Sequence, residues 1–294
     1  MRKQKNNVSK EARIKSSFWG DAWRRLNQDR AAMVALFVLV LLVLCAIFAP
    51  YIAPYPYDVQ DTSATFQLPN AQHLLGTDNF GRDILSRIIY GSRVSLIVGF
   101  SSIIVAIIVG GLIGAISGFY GNKVDNLLMR LMDILMAIPG MLLAISLAAV
   151  LKPGLMNLVI AIAVAEVPGY ARVVRASVLT IKDQEYIEAA TCIGASDWRI
   201  ILRHIIPNCM APIIVQATLG VAGAILSAAS LSFLGLGIQP PTPEWGSMLS
   251  SARQFIRQYW HMTTFPGLAI MITIFALNVL GDGLRDALDP RMKN

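Results

Sequence analysis

Residues 31–53 read AAMVALFVLVLLVLCAIFAPYIA, a run without one charged side chain. At about 1.5 Å of rise per residue, a helix of this length crosses the ~30 Å of hydrocarbon in a bilayer. A mostly polar stretch precedes the run, and the run exceeds the ~7–15 apolar residues of a secretory signal, so it reads as a span that stays in the membrane. Working outward, further apolar stretches lie at 94–119, 127–150, 155–171, 210–236 and 265–284. Only helices or closed barrels satisfy backbone groups in lipid, and these stretches are too long and too uniformly apolar for alternating barrel strands. The expected fold class is an all-α membrane protein with six transmembrane helices.

Composition agrees. Hydrophobic residues make up 55% of the 294-residue chain and charged residues 15%, where soluble domains carry about 25% charged residues. The net charge is +7, and its distribution is uneven. Nineteen of the 25 Lys and Arg fall in 1–30, at Lys123 and Arg130, in 172–209 and in 285–294. The other six are Arg82, Arg87, Arg93, Lys152, Arg253 and Arg257. Basic residues mark cytoplasmic segments, so both termini are expected in the cytoplasm. The positive charge is then a topology signal, and a nucleic-acid partner, which needs a clustered basic face, is excluded. Three scattered cysteines (Cys45, Cys192, Cys209) make no disulfide framework. Cys192, His204 and Cys209 lack zinc spacing and a fourth ligand, so no metal site is expected.

The resulting organisation is a cytoplasmic segment 1–30, a first span 31–53, an external segment 54–93, a core 94–284 and a cytoplasmic tail 285–294. The core contains a cytoplasmic loop 172–209 and an external loop 237–264. The first external segment holds Gly76-Thr77-Asp78 and Gly81-Arg82-Asp83. It then turns amphipathic, with Ile84, Leu85, Ile88 and Ile89 on one face and Arg82, Asp83 and Arg87 on the other, which predicts an interfacial helix leading into the second span. The second external loop opens with Gln239-Pro240-Pro241-Thr242-Pro243-Glu244-Trp245-Gly246, a stiff entry. An amphipathic helix with Phe255, Tyr259 and Trp260 at the outer interface is expected after it.

The cytoplasmic loop reads as helix–turn–helix. Residues near 183–193 favour a helix, and Gly194 is suited to ending it in a left-handed conformation. Ser196 is placed as the N-cap of the next helix, with Asp197 in its first turn. Trp198, Ile201, Leu202 and Ile205 form its expected apolar stripe, and Pro207 its expected end. Small Ala189 and Ala190, edged by Glu188, would let a partner's backbone approach closely.

Glu188-Ala189-Ala190, three residues, Gly194, and a helix closing on Arg203-His204-Ile205-Ile206-Pro207-Asn208 resemble the EAA motif of bacterial ABC-importer permeases. That pattern runs Glu-Ala-Ala, three residues, Gly, nine residues, Ile-x-Leu-Pro. The chain departs from it at His204 and Ile206, and the first departure is similar to the peptide-transporter branch. With Gly76-Thr77-Asp78, Gly81-Arg82-Asp83, Leu234-Gly235-Leu236-Gly237 and Glu244-Trp245-Gly246, nearly the whole chain resembles the second permease subunit of oligopeptide, dipeptide and nickel importers. The resemblance implies a type I importer permease fold in the bacterial cytoplasmic membrane. It implies docking of Glu188, Ala189, Ala190, Gly194, Ser196, Asp197, Arg203, His204 and Pro207 on an ATPase. It also implies a second homologous permease, two ATP-binding-cassette ATPase subunits and an extracellular substrate-binding protein as partners. No Gly-x-x-x-x-Gly-Lys-Ser/Thr loop occurs, so ATP and Mg are expected on the partner subunits and no cofactor on this chain. Peptides are the expected cargo, with nickel or a metal chelate as the alternative.

Within the spans, Gly110, Gly114 and Gly118 form a small-residue row for close helix packing. Gly220, Gly223 and Ser227 lie on a small-residue fifth span, as pathway wall or as packing. Pro139-Gly140 and Pro168-Gly169 predict kinks. Asp133 is expected to pair with Arg130, and Glu166 with Arg172 or Arg130. An ion-coupled carrier would need midplane charges and internal repeats. A membrane enzyme would need converging polar groups, yet His73, His204 and His261 lie on different loops.

Overall fold

The computed structural model describes residues 18–288, so parts of the 1–30 segment and of the 285–294 tail lie outside the described residues. A short helix α1 (Phe18–Leu26) precedes α2 (Arg30–Ile47). Asp29 caps α2, its carboxylate accepting from the Ala31 and Ala32 amides. A single turn with Pro50 near its start, α3 (Ala49–Ile52), ends the first span. Then come α4 (Ile84–Tyr120), α5 (Asn122–Met136), α6 (Gly140–Leu151) and α7 (Leu155–Ile181). The loop between α7 and α11 holds α8 (Glu185–Cys192), α9 (Asp197–Ile200), a π-turn at Ile201–Ile205 and α10 (Ile206–Asn208). The chain closes with α11 (Met210–Phe233), α12 (Trp245–Ala252) and α13 (His261–Leu288).

Among the described residues, five helices (α2, α4, α7, α11 and α13) are long and apolar enough to cross a membrane. The sixth crossing is the pair α5–α6, bent by 83° at the break before Gly140. Pro139 sits at that break, where its missing N–H and its constraint on Ile138 interrupt the helix. Pro168, by contrast, stays inside an uninterrupted α7.

The core is a stack in which α4 lies between α7 and α11, while α13 packs on α11 and α2. Its closest seam is α4 on α7. A Cβ on Gly110 would meet the Val167 carbonyl at 2.5 Å, and one on Gly114 would collide with the Ala171 carbonyl. Gly118 faces Val178 and the Arg175 carbonyl. The row therefore lets two backbones meet without intervening side chains.

Several boundaries differ from the sequence reading. The amphipathic stretch after Gly81 is the first two turns of the 37-residue α4, not a separate interfacial helix. Nor is the charged face solvated: Arg82, Asp83 and Arg87 are buried together with Ile84, while Leu85, Ile88 and Ile89 are partly buried. Span four continues past Ala171 to Ile181, so only residues after 181 form the loop. The helix expected within 237–264 comes earlier, at α12. Phe255 lies in a 3₁₀ turn and Tyr259 in coil, both against Phe66, while Trp260 is half exposed.

Candidate functional site

The loop between α7 and α11 is built around Gly194. Its φ of +79° lies in the left-handed region, and nothing stands within 4 Å of where a Cβ would sit. The Ala195 amide donates to the Ala190 carbonyl at 3.1 Å and the Gly194 amide to Thr191 at 3.0 Å. These two bonds close α8 and turn the chain into α9. Ser196 stands at the N-cap position of α9, yet its side chain caps no amide. Asp197 instead accepts from the Tyr120 hydroxyl at 3.0 Å, which ties the loop to the end of α4.

The second half of the loop ends one residue past Pro207, at Asn208. A π-turn widens the helix before the proline, with the Ile206 amide reaching back to the Ile201 carbonyl. The wider turn accommodates a residue that cannot donate. The Asn208 side chain donates from Nδ2 to the His204 carbonyl at 2.6 Å, and α11 starts at Met210.

The loop has two faces. Ile187, Ala190, Ile200, Ile201 and Ile205 are buried in one apolar cluster with Ala115 of α4, Val174 and Val178 of α7, and Ile213 of α11. Ala190 is 7% exposed, so it belongs to this anchoring face and not to a partner-facing one. The outward face carries Glu188, Ala189, Ile193, Trp198, Leu202 and Arg203. Ile193 is 85% exposed, and Trp198 and Leu202 leave the expected stripe for the exposed side. His204 is half-buried and Pro207 exposed. A rigid two-helix unit thus bolts an exposed aromatic and aliphatic surface onto the ends of three spans.

Charges separate the surfaces at membrane depth. The outer sides of α2 and α4 (Val34, Phe37, Val40, Ile104, Ile108) are exposed and apolar, as lipid requires. Between α5 and α7 lies a polar cleft of about 500 Å³ lined by Asp125, Asn126, Arg130, Asp133, Arg172 and Arg175. Arg175 holds Asp125 through Nε and a terminal nitrogen, each at 2.5 Å, with Ser117 as a third donor to that carboxylate. Arg172 pairs with Asp133 at 2.6 Å, the two side chains 48% and 55% exposed. Asp133 therefore bridges to α7 and not to Arg130 on its own helix, and Arg172 is used there and not on Glu166. A charged pair this exposed cannot face hydrocarbon, so the cleft faces water or protein. On α11, a Cβ on Gly220 would collide with the Tyr170 hydroxyl, which marks packing, whereas Gly223 is open and Ser227 half-buried.

The external motif folds inward. The Asp78 carboxylate accepts from the Phe80 and Arg82 amides and from Arg82 Nε at 2.7 Å, with Arg87 Nε 3.8 Å away. Asp83 caps α4 through the Ser86 amide and meets His73 Nδ1 at 3.0 Å. Thr77 bonds the Ala64 carbonyl, and Gly76 and Gly81 take positive φ where a Cβ would strike the Gln67 and Asp61 backbones. Glu244 accepts from the Gly246 and Ser247 amides at 2.9 and 2.8 Å, and burial pushes its carboxyl up from the usual range. The Trp245 indole donates to the Ile88 carbonyl at 3.1 Å, and Gly246 packs on Ala229. These residues stitch the start of α4 to the end of α11 and to α12. Sequence reasoning missed the Asp125–Arg175 clamp, for which paired charges on two otherwise apolar runs were the available signal.

Residues 110–294 match the family model described as binding-protein-dependent transport system inner membrane component. Residues 17–69 match the N-terminal TM domain of oligopeptide transport permease C. The chain is 48% identical over 278 residues to the di/tripeptide transport system permease protein DppC of Pseudomonas aeruginosa, covering 92% of each. It is 49% identical to the dipeptide transport system permease protein DppC of Alkalihalophilus pseudofirmus (94% of this chain, 91% of the relative). It is 47% identical to the glutathione transport system permease protein GsiD of Escherichia coli, with the same coverage. Among solved structures, an inward-facing MetNI methionine ABC transporter chain superposes with a TM-score of 0.57 at 17% identity, over 69% of this chain and 96% of that one, a likeness of fold alone. With its six crossings, its loop bolted to three spans and these matches over most of its length, the chain belongs to the inner membrane permease components of binding-protein-dependent ABC importers, multi-pass proteins of the bacterial cytoplasmic membrane.

Proposed function

We propose that this chain is one of two permease subunits forming the pathway through which an ATP-binding-cassette importer moves di- and oligopeptides into the cytoplasm. A substrate-binding protein delivers the peptide outside. Two ATPase subunits bind ATP and Mg inside, and this chain binds neither. Both termini and the 182–209 loop are cytoplasmic. The observation that carries the reading is the two-faced loop. Ile187, Ala190, Ile200, Ile201 and Ile205 fix it to α4, α7 and α11, while Ala189, Ile193, Trp198 and Leu202 are left outward. A surface so anchored transmits a displacement of its partner to the spans as a rigid-body movement. The cargo is supported by relatives whose printed names give dipeptide, di/tripeptide or glutathione transport.

The test is uptake of labelled dipeptide by proteoliposomes holding the full assembly with its binding protein. Uptake is expected only with hydrolysable ATP inside the vesicle-equivalent cytoplasmic compartment, and it is expected to stop when Ala189→Trp blocks the outward face. ATP turnover by this subunit alone, or uptake driven by an ion gradient without ATP, would overturn the reading.

A further inference from the structure

Helix α1 has no part in the pathway or the loop, yet its apolar arc is wider than its packing. Leu26 is buried in a small cluster with Ala32 of α2 and with Leu280, Leu284 and Ala287 of α13, and Ala22, on the same side, is covered as well. At about 100° per residue the same arc continues through Trp19 and Trp23, whose side chains are 51% and 55% exposed. Arg24 points to the other side, 3.1 Å from Asp21.

Its depth is fixed by two spans. Only residues 27–29 separate α1 from α2. A Cβ on Gly283 would stand 3.2 Å from the Asp29 carboxylate and 3.4 Å from Leu26 Cδ1, so the corner is pinned to the final turns of α13. The indoles therefore sit where the hydrocarbon ends. The side of α2 that follows is exposed and apolar as well, with Val34 and Phe37. Amphipathic indoles concentrate at that level of a bilayer. Charge points the same way. The first 30 residues hold nine Lys and Arg against Glu11, Asp21 and Asp29, and each basic residue near an anionic leaflet contributes about 1 kcal/mol of attraction.

We infer that α1 is an in-plane anchor whose occupant is anionic phospholipid. Trp19 and Trp23 enter the boundary between headgroups and acyl chains, and the excess of basic side chains among the first 30 residues favours anionic headgroups. The assignment to the cytoplasmic leaflet rests on the orientation proposed above; contact with lipid does not.

The test uses the complete transporter with its native cysteines replaced and a bimane label on Trp23→Cys. It is embedded in bilayers containing equal fractions of either brominated phosphatidylcholine or brominated phosphatidylglycerol. Both lipids should quench the label, the anionic one at least twofold more strongly. The variant Arg24→Gln/Arg25→Gln/Arg30→Gln should keep quenching by brominated phosphatidylcholine and lose the preference. A label quenched by neither lipid is in water or under a protein, and the anchor is wrong. Equal quenching by both in the chain with its arginines overturns the anionic specificity. Neither failure touches the transport reading, because quenching needs no turnover.

Discussion

Replacing Gly114 by alanine adds one methyl group at the tightest point of the α4–α7 seam. The new Cβ would lie 3.0 Å from both the Ala171 carbonyl carbon and the Arg175 amide nitrogen, and closer still to the Ala171 carbonyl oxygen. These are backbone atoms, so relief requires the two helices to part by about 1 Å. A gap of that size forfeits a quarter to a half of the dispersion attraction of the atoms lining it. Overpacking of this kind costs about 1–3 kcal/mol. The neighbouring position is an internal control. A Cβ on Gly111 would meet only Val174 Cγ2, at 3.9 Å, an ordinary contact. Gly111→Ala also removes the helix penalty of glycine, about 0.5–1 kcal/mol, so it should be neutral or stabilising. Thermal unfolding of the purified assembly in one detergent should show Gly114→Ala well below the parent and Gly111→Ala at or above it. Equal shifts for the two variants would refute backbone apposition as the reason for the glycine row.

Ala189 and Ala190 should part in the same way. Ala190→Trp overfills the buried cluster, costs about 1–3 kcal/mol and exposes the loop to protease, whereas Ala189→Trp leaves protease resistance intact and abolishes cross-linking to the ATPase. Asp133→Arg should depress uptake by repelling Arg172, and Asp133→Arg/Arg172→Asp should recover much of it; a double variant no better than the single one would show that the pair is not a contact that matters. Glu244→Gln replaces an acceptor of two amides by a group with one acceptor, so α12 should lose about 1 kcal/mol of capping, read as faster amide exchange at Gly246 and Ser247.

The spans were legible because lipid allows few solutions: long apolar runs must be helices. Gly194 was legible too, since an α8–α9 turn of this kind selects glycine. What was hidden needed a third dimension. Arg82, Asp83 and Arg87 look like a solvated face in one-dimensional periodicity, yet they are buried: Asp78 and Ser86 satisfy Arg82 and Asp83 locally, and the distant Tyr57 carbonyl satisfies Arg87. The same applies to Asp133. Arg130 is its neighbour along the helix, but Arg172 is nearer across the cleft. Ala190 was assigned to the wrong side because small residues suit both a docking face and a tight core, and only the position of Ile187 and Ile200 relative to α4 and α7 decides between them. The helix closes one residue past Pro207, at Asn208, and the π-turn before the proline accommodates its ring.

The loop supplies its own probe. Cys192 on α8 is exposed, Cys209 is buried and Cys45 is partly covered. With Cys45 and Cys209 replaced by alanine, membranes holding the assembled permeases should be treated with a membrane-impermeant maleimide, before and after addition of the ATPase subunits. Cys192 is expected to react in inside-out vesicles, to stay unlabelled in right-side-out ones, and to become protected when the ATPase subunits bind. Labelling from the outside, or undiminished labelling with the ATPase subunits bound, would contradict the assignment of this loop as the surface through which the motor drives the spans.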